Sequence, residues 1–103
     1  MLSTKKIQQI QKSFQGTHDH LVFIFEALGD ATRLKIFRAL AQKKELCVTD
    51  VANVFRISVP AASYQLKILE MVGLIRKERM GKMICYKLRK EDHLVRNVLK
   101  IIQ

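Results

Sequence analysis

The residues with the clearest chemical potential are cations near the carboxyl end of the chain. Between Leu74 and Lys90 the sequence carries seven Lys and Arg residues and a single acid, Glu78. The cations are Arg76, Lys77, Arg79, Lys82, Lys87, Arg89 and Lys90. Clustered cations neutralise phosphates and release the counterions around nucleic acid. A segment needed only for solubility can balance its charges, so this imbalance predicts contact with DNA.

The whole chain has the same bias. Nineteen Lys and Arg residues stand against nine Asp and Glu residues, a formal net charge of +10 in 103 residues. This length fits one domain spanning 1–103 and leaves no room for a second. No apolar run approaches the roughly 20 residues of a membrane span, and no signal-peptide segment is present. We therefore expect a soluble, cytoplasmic protein without a membrane partner.

The sequence contains no recognisable catalytic motif. We find no nucleophile paired with a base and no phosphate-binding loop, because the four glycines are scattered. His18, His20 and His93 share no motif. The chain is therefore not expected to be an enzyme.

The elements that position the basic segment follow from hydrophobic periodicity. We predict helices at 3–15, 19–28, 30–42, about 49–55 and 59–72, with a final helix opening at Glu91 or Asp92. Thr49 or Asp50 is the expected N-cap of the fourth helix. A short strand at 46–48 and a β-hairpin within 74–90, turning around Gly81, complete the chain. In the second strand of the hairpin, Ile84, Tyr86 and Leu88 alternate with Met83, Cys85 and Lys87, so the two sets are expected on opposite faces. The fold is mainly α with a small β-hairpin wing, in the order α-α-α-(short β)-α-α-β-β-α.

The fifth helix has two unlike faces. Ser58 is a candidate N-cap, and the only proline falls in the first turn, where a missing N–H is tolerated. On a helical wheel the apolar side gathers Ala61, Ala62, Leu66, Ile68, Leu69 and Val72, and the opposite side presents Pro60, Ser63, Tyr64 and Lys67. Two helices joined by a tight turn near 56–58 and followed by a basic hairpin are typical of a winged helix-turn-helix.

Three sequence blocks in order carry a family resemblance over about residues 20–103: "ALGDATRLKIFRALAQKKELCVTDVA", "SVPAASYQLKILEMVGLIRKER" and "GKMICYKL". They resemble the arsenic-repressor (ArsR/SmtB-type) winged-helix family. The resemblance implies a homodimer built from the first and last helices, with two recognition helices in successive major grooves of a palindromic operator on double-stranded DNA. It also implies repression that an inducer, usually a metal ion, relieves.

The DNA-binding set combines this resemblance with the charge pattern. Family base- and phosphate-contacting positions match Ser58, Val59, Pro60, Ser63, Tyr64 and Gln65. The exposed Lys67 and the wing cations Arg76, Lys77, Arg79 and Lys82 complete the set. Gln65 lies at the margin of the buried arc, so its amide can bond adenine or a group within the protein. The same basic wing would also serve a sequence-nonspecific architectural DNA-binding protein, which is the alternative function.

The metal sites that the resemblance implies are incomplete here. Metal-responsive members have a Cys-x-Cys pair where this chain has Cys47 and Thr49, and Thr is a poor ligand for soft metals. Completing that site would require His18, His20 or another subunit. Glu91-Asp92-His93 matches the first half of a second family site whose distal half is missing. Cys47 and His93 therefore remain weak metal candidates, and no cofactor is predicted.

Two other roles for the cysteines stay open. Cys47 can be a structural residue of the core. It can also lie across the sheet from Cys85, where oxidation of the pair would distort the wing.

A dimer interface is predicted at the two ends of the chain. Both terminal helices carry apolar faces wider than one small core can cover. The predicted interface residues are Ile7, Ile10, Phe14, Leu94, Val98, Ile101 and Ile102.

Overall fold

The computed structural model describes residues 1–16 and 19–102, so the metal-ligand suggestion for His18 lies outside the described residues. The helices are α1 (Thr4–Ser13), α2 (His20–Leu28), α3 (Ala31–Gln42), α4 (Val48–Phe55), α5 (Val59–Met71) and α6 (His93–Ile102). The strands are β1 (Leu46–Cys47), β2 (Ile75–Met80) and β3 (Met83–Leu88). This is the predicted order of elements.

Most helix starts follow from local capping. The Asp30 carboxylate accepts a hydrogen bond from the Arg33 N–H at 3.0 Å, and the Ser58 hydroxyl accepts one from the Ala61 N–H at 3.1 Å. Such caps satisfy amides of the first turn, which have no partner within the helix. These two helix starts were predicted from the same residues.

The start of α4 was predicted wrongly. Cys47 occupies the N-cap position and Val48 is already helical, so neither Thr49 nor Asp50 caps the helix. Asp50 lies at the third helical position, where its carboxylate accepts a hydrogen bond from the Cys47 N–H at 2.8 Å. The helix can therefore begin directly where β1 ends.

The sheet is antiparallel, with β3 between β1 and β2. Gly81 forms the hairpin turn with a positive φ of 63°, a conformation that glycine adopts without steric penalty. In the register of the hairpin, Ile75 lies opposite Leu88. On the other side of β3, Cys47 lies opposite Cys85. The hairpin and its turn agree with the prediction.

The core lies between the helices and the sheet, and its members come from α2 to α6 and from the base of the hairpin at Ile75, Tyr86 and Leu88. Ala62, Leu66 and Leu69 anchor α5 in it. The alternation expected for β3 fails at Cys85, which is fully buried. The reason is that β3 is the central strand and contacts both α3 and α4.

The two terminal helices differ in burial. None of the α1 residues is buried, whereas Val95 and Val98 of α6 are core residues. Val98 is only 3% exposed within its own protomer, so little of its side chain is available to a second protomer, and its place in a dimer interface stays a prediction. Within residues 1–16 and 19–102, every helix is too short or too polar to cross a membrane.

Candidate nucleic-acid interface

A three-residue turn sets the angle between α4 and α5. Arg56 ends α4 in the left-handed conformation, with φ 54° and ψ 48°, and its backbone N–H donates to Ala52. Ile57 packs against the core, and Ser58 then caps α5. A non-glycine residue is held in this conformation only where its surroundings determine it, so the turn is firmly placed.

The outer face of α5 is largely the predicted one. Tyr64 is 64% exposed and Val59 48% exposed, and Ser58, Pro60 and Lys67 are exposed as well. Ser63 is half-buried. Ala61, which the wheel placed on the apolar side, is exposed because the core contact of α5 begins at Ala62. The helix therefore presents uncharged polar groups, small apolar side chains and one cation to its surroundings.

Gln65 is engaged within the protein. Its Oε1 accepts a hydrogen bond from Arg33 Nη1 at 2.8 Å, and Arg33 Nε donates to the Ala27 carbonyl at 2.7 Å. The guanidinium thus joins α2, α3 and α5. Of the two roles left open for Gln65, the structure shows the intramolecular hydrogen bond.

The wing cations fall into two groups. Lys77, Arg79 and Lys82 are exposed, and the part of the chain that the structure describes offers no ion pair to any of them. Arg76 is also exposed, but its Nη1 lies 3.2 Å from Glu91 Oε1. The first group can reach an external phosphate directly, whereas a phosphate contact of Arg76 would compete with its ion pair to Glu91.

Two other cations stabilise the wing itself. Lys87 Nζ lies 2.8 Å from Glu78 Oε1 across the hairpin, and the hydrogen bond and charge of Lys87 lower the pKa of the Glu78 carboxyl. Arg89 Nη1 donates to the Gly73 carbonyl at 3.0 Å, just beyond the end of α5. These contacts connect the hairpin strands to each other and to the helix.

Some of these organising residues carried no sequence signal. His20 Nε2 lies 2.9 Å from the Val72 carbonyl, at the C-cap of α5. The two residues are 52 positions apart, and Arg33 and Gln65 are 32 apart. Neither contact belongs to a local motif, so only the fold reveals it.

The two cysteines are joined. Cys47 and Cys85 form a disulfide between β1 and β3, 38 residues apart in sequence. Cys85 is fully buried, whereas Cys47 is half-buried and lines a cavity of about 320 Å³ between α4, α5 and the wing tip. The structure therefore places the proposed redox pair together, next to the candidate interface.

The metal candidates are not brought together. His93 Nε2 lies 3.2 Å from Asn97 Nδ2 on the next turn of α6, and Cys47 is bonded to Cys85. Among residues 1–16 and 19–102, no group of three or more His, Cys, Asp or Glu side chains has an arrangement that can hold a metal ion.

The predicted interface residues of α1 and α6 differ in exposure. Phe14 is 81% exposed and Ile101 74% exposed, and Ile7 and Ile10 are nearly half exposed. Leu94 and Ile102 are partly buried against the protomer's own core. Among the predicted interface residues, the exposed ones therefore lie on α1, at its C-cap Phe14 and at the end of α6, and α2 exposes further apolar side chains at Val22, Phe23 and Phe25.

Comparison with known proteins assigns the family. The model of the arsR family of bacterial regulatory proteins matches residues 30–77, from the N-cap of α3 into β2. The transcriptional repressor SmtB homolog of Synechocystis is 31% identical over 102 residues, covering 97% of this chain and 75% of that protein. The chain belongs to the ArsR family.

Other relatives place this ArsR-family chain among regulators. The CadC homolog of Staphylococcus aureus, a cadmium resistance transcriptional regulatory protein, is 41% identical over 75% of this chain and 62% of its own length. A homodimeric winged helix-turn-helix DNA-binding domain from Mycobacterium bovis, from a possible ArsR-family regulator, superposes with a TM-score of 0.69 at 25% identity. That match covers 98% of this chain and 87% of the domain.

The fold is thus a winged helix-turn-helix, as predicted. The chain spans less than two thirds of the first curated relatives, 62% of the Staphylococcus aureus protein and 52% of the CadC protein of Listeria innocua.

Proposed function

We propose that this ArsR-family protein is a homodimeric repressor of transcription that acts in the cytoplasm on an inverted-repeat operator. In this proposal α5 reads base edges in the major groove and the wing binds phosphates. The observation that carries it is the position of two features: the outer face of α5, with the exposed Tyr64 and the half-buried Ser63, and the exposed wing cations Lys77, Arg79 and Lys82, the last of which lines the same cavity as Ser63.

The chemistry of α5 favours sequence-specific binding over the architectural alternative. A helix that only followed the DNA backbone would benefit from cations on its outer face, because phosphate contacts supply nonspecific affinity. The outer face of α5 instead carries a hydroxyl, a phenol and the single cation Lys67. Hydroxyl groups can bond base edges as well as phosphates, and base contacts provide specificity.

A homodimer is supported by the apolar surface at the chain ends. Phe14 and Ile101 are large, apolar and mostly exposed. A monomer of this size gains by covering such side chains with a second copy, and the Mycobacterium bovis domain, a homodimer, offers a precedent for the arrangement.

For the inducer we propose thiol redox chemistry rather than a metal ion. The Staphylococcus aureus relative is named for cadmium resistance, but here the thiol at Cys47 is taken up by Cys85. The disulfide connects β1, the strand that leads into α4, with β3, the wing strand at the centre of the sheet. Its reduction can therefore change how the wing sits against the helix-turn-helix.

Footprinting on the DNA upstream of the protein's own coding sequence tests the function. We expect one protected region made of two symmetrical half-sites about one helical turn apart. Uniform protection of all DNA would identify an architectural protein instead. The absence of binding in both the oxidised and the reduced protein would overturn both functions. Titration with cadmium, zinc and arsenite belongs in the same experiment, because sub-micromolar metal binding that releases the DNA would refute the redox assignment.

A further inference from the structure

The cavity beside the disulfide has an unusual position. It is bounded by the start of α4 at residues 47–49, by Val59 and Ser63 of α5, and by the wing tip at residues 82–84. Its volume of about 320 Å³ lies at the lower end of the range of roughly 300–1,000 Å³ that small-molecule sites occupy. Any molecule held there would lie between the two parts of the candidate nucleic-acid interface.

Only one of the two cysteines borders this cavity. Cys47 lines it and is half-buried, whereas Cys85 is fully buried and does not line it. The lining is otherwise mainly apolar, and Lys82 is its only charged residue among those described. The cavity therefore suits a small ligand with an apolar body and a negative charge that can approach Lys82.

We propose that Cys47 is a modification site that forms a mixed disulfide with a small anionic thiol admitted through this cavity. The inference rests on the proposed repressor function and names the regulator of the same site. The thiolate of the small molecule attacks the Cys47 sulfur, and the bond between Cys47 and Cys85 breaks. Cys85 leaves as a thiolate and takes up one proton. The exchange conserves the number of disulfides, so it requires no oxidant.

Two effects compete for the point of attack. Cys47 caps the N-terminus of α4, a position that stabilises a thiolate and would make Cys47 the better leaving group, directing attack to Cys85. The accessibility of the two sulfur atoms has the opposite effect, because an attacking thiolate must reach the sulfur with which it forms a bond. Complete burial of Cys85 excludes that approach in the folded protein, so access decides for Cys47.

The adduct should weaken operator binding. Its thiol-derived group lies against Val59 and Ser63, two residues of the candidate recognition surface, and its negative charge faces the phosphates that the wing binds. Steric exclusion and charge repulsion act in the same direction. The small thiol is in this way an inducer that leaves the DNA-binding residues chemically unchanged.

The first experiment locates the adduct without reference to DNA. The oxidised protein is incubated with 3-mercaptopropionate or, separately, with the neutral 2-mercaptoethanol, quenched in acid and analysed by peptide mass spectrometry. We expect the adduct on Cys47 in at least tenfold excess over Cys85. Adduct mainly on Cys85, or exchange that yields no mixed disulfide, would overturn the proposal.

The charge preference is measured as a ratio of rates. Rates per thiolate for the anionic and the neutral reagent are compared in the wild type, in Lys82→Gln and in the matched control Lys90→Gln, which removes an exposed lysine that does not line the cavity. The ratio should fall several-fold in Lys82→Gln and stay unchanged in Lys90→Gln. An unchanged ratio in Lys82→Gln would rule out the anionic ligand.

The effect on DNA is tested with a single-cysteine variant. In Cys85→Ser the free Cys47 attacks 3,3′-dithiodipropionate and forms the same adduct with release of 3-mercaptopropionate. We expect at least a tenfold loss of operator affinity on modification, and a much slower reaction of Cys85 in Cys47→Ser. Unchanged operator affinity of the modified protein would refute the regulatory role. Failure of both the oxidised and the reduced wild type to bind any operator, measured in parallel, would instead refute the proposed function.

Discussion

The guanidinium of Arg33 donates to Gln65 Oε1 at 2.8 Å while its Nε donates to the Ala27 carbonyl at 2.7 Å. The side chain of Gln65 thereby holds the middle of α5 against α2 and α3, in a partly buried setting where a charged donor strengthens the hydrogen bond. A residue whose family position is associated with DNA contact is used here to orient the helix that carries the contacts.

Gln65→Ala should therefore lower protein stability. A hydrogen bond to a charged group contributes about 1.5–3 kcal/mol, and partial solvation of this pair favours the lower end. Urea unfolding monitored by circular dichroism measures the change, and Lys67→Ala, an exposed substitution on the same helix, is the control. Gln65→Ala should change the affinity for operator DNA and the affinity for random DNA by the same factor. A selective loss of operator binding with unchanged stability would instead indicate that Gln65 contacts bases.

Ser63→Ala and Tyr64→Ala should weaken operator binding much more than binding to random DNA. Each good base contact contributes about 1–3 kcal/mol of discrimination. Fluorescence anisotropy with an operator duplex and a scrambled duplex of equal length gives the two affinities. Equal losses on both duplexes would mean that these side chains support the helix or contact only phosphates.

The two groups of wing cations should differ in their salt dependence. Replacing Arg79 or Lys82 with Gln should reduce the slope of log K against log salt by about 0.9 for each phosphate that the protein no longer neutralises. Arg76→Gln should change it less, because Arg76 is paired with Glu91. Lys100→Gln in α6 is the control for a simple loss of one positive charge. If Arg79→Gln behaved like that control, the wing would not contact DNA.

The Glu78 and Lys87 pair should make wing stability depend on pH. The pKa of Glu78 is lowered in the folded protein, mainly by its hydrogen bond to Lys87. Its contribution is therefore fully present above the ordinary carboxyl pKa and is lost as the pH falls through the lowered, folded-state pKa. The difference in unfolding free energy between wild type and Glu78→Gln should shrink on acidification over that window. A constant difference would mean that Lys87 does not stabilise the ionised carboxylate.

Phe14→Ser and Val98→Ala should have opposite signatures. Phe14 is mostly exposed, so its replacement should dissociate the dimer with little change in protomer folding. Val98 is a core residue, and its truncation should lower stability by about 1–3 kcal/mol, the usual range for a core truncation, while the protein stays dimeric when folded. Sedimentation velocity and thermal unfolding separate the two effects. A wild-type monomer at micromolar concentration would remove the basis for the dimer.

The features that the sequence predicted correctly are those that depend on residues close together in the chain. The caps at Asp30 and Ser58 and the glycine turn at Gly81 act within a few residues, and each was predicted from sequence. The start of α4 was missed because Cys47, a poor capping residue by type, takes the N-cap position directly after a strand of two residues.

Long-range contacts were beyond the reach of sequence periodicity. The wheel placed Gln65 at the edge of the buried arc, but its partner Arg33 lies on another helix, 32 residues away. Period-two alternation in β3 predicted that Cys85 would face away from Tyr86, and both are buried because helices contact the central strand. Val98, predicted at the dimer interface, is buried in the core of its own protomer, and an apolar helix face in the sequence does not reveal which molecule covers it.

The disulfide also turns the part of the molecule that carries the candidate nucleic-acid interface into a closed covalent ring. The two cysteines are 38 positions apart, and the ring encloses α4, α5, β2 and the wing turn and leaves α1 to α3 and α6 outside. A loop of that length removes chain entropy from the unfolded state equivalent to about 4 kcal/mol at 25 °C. One proteolytic cut anywhere inside the ring leaves a single covalent molecule until a reductant opens it, so limited proteolysis should yield two fragments from that cut only under reducing conditions.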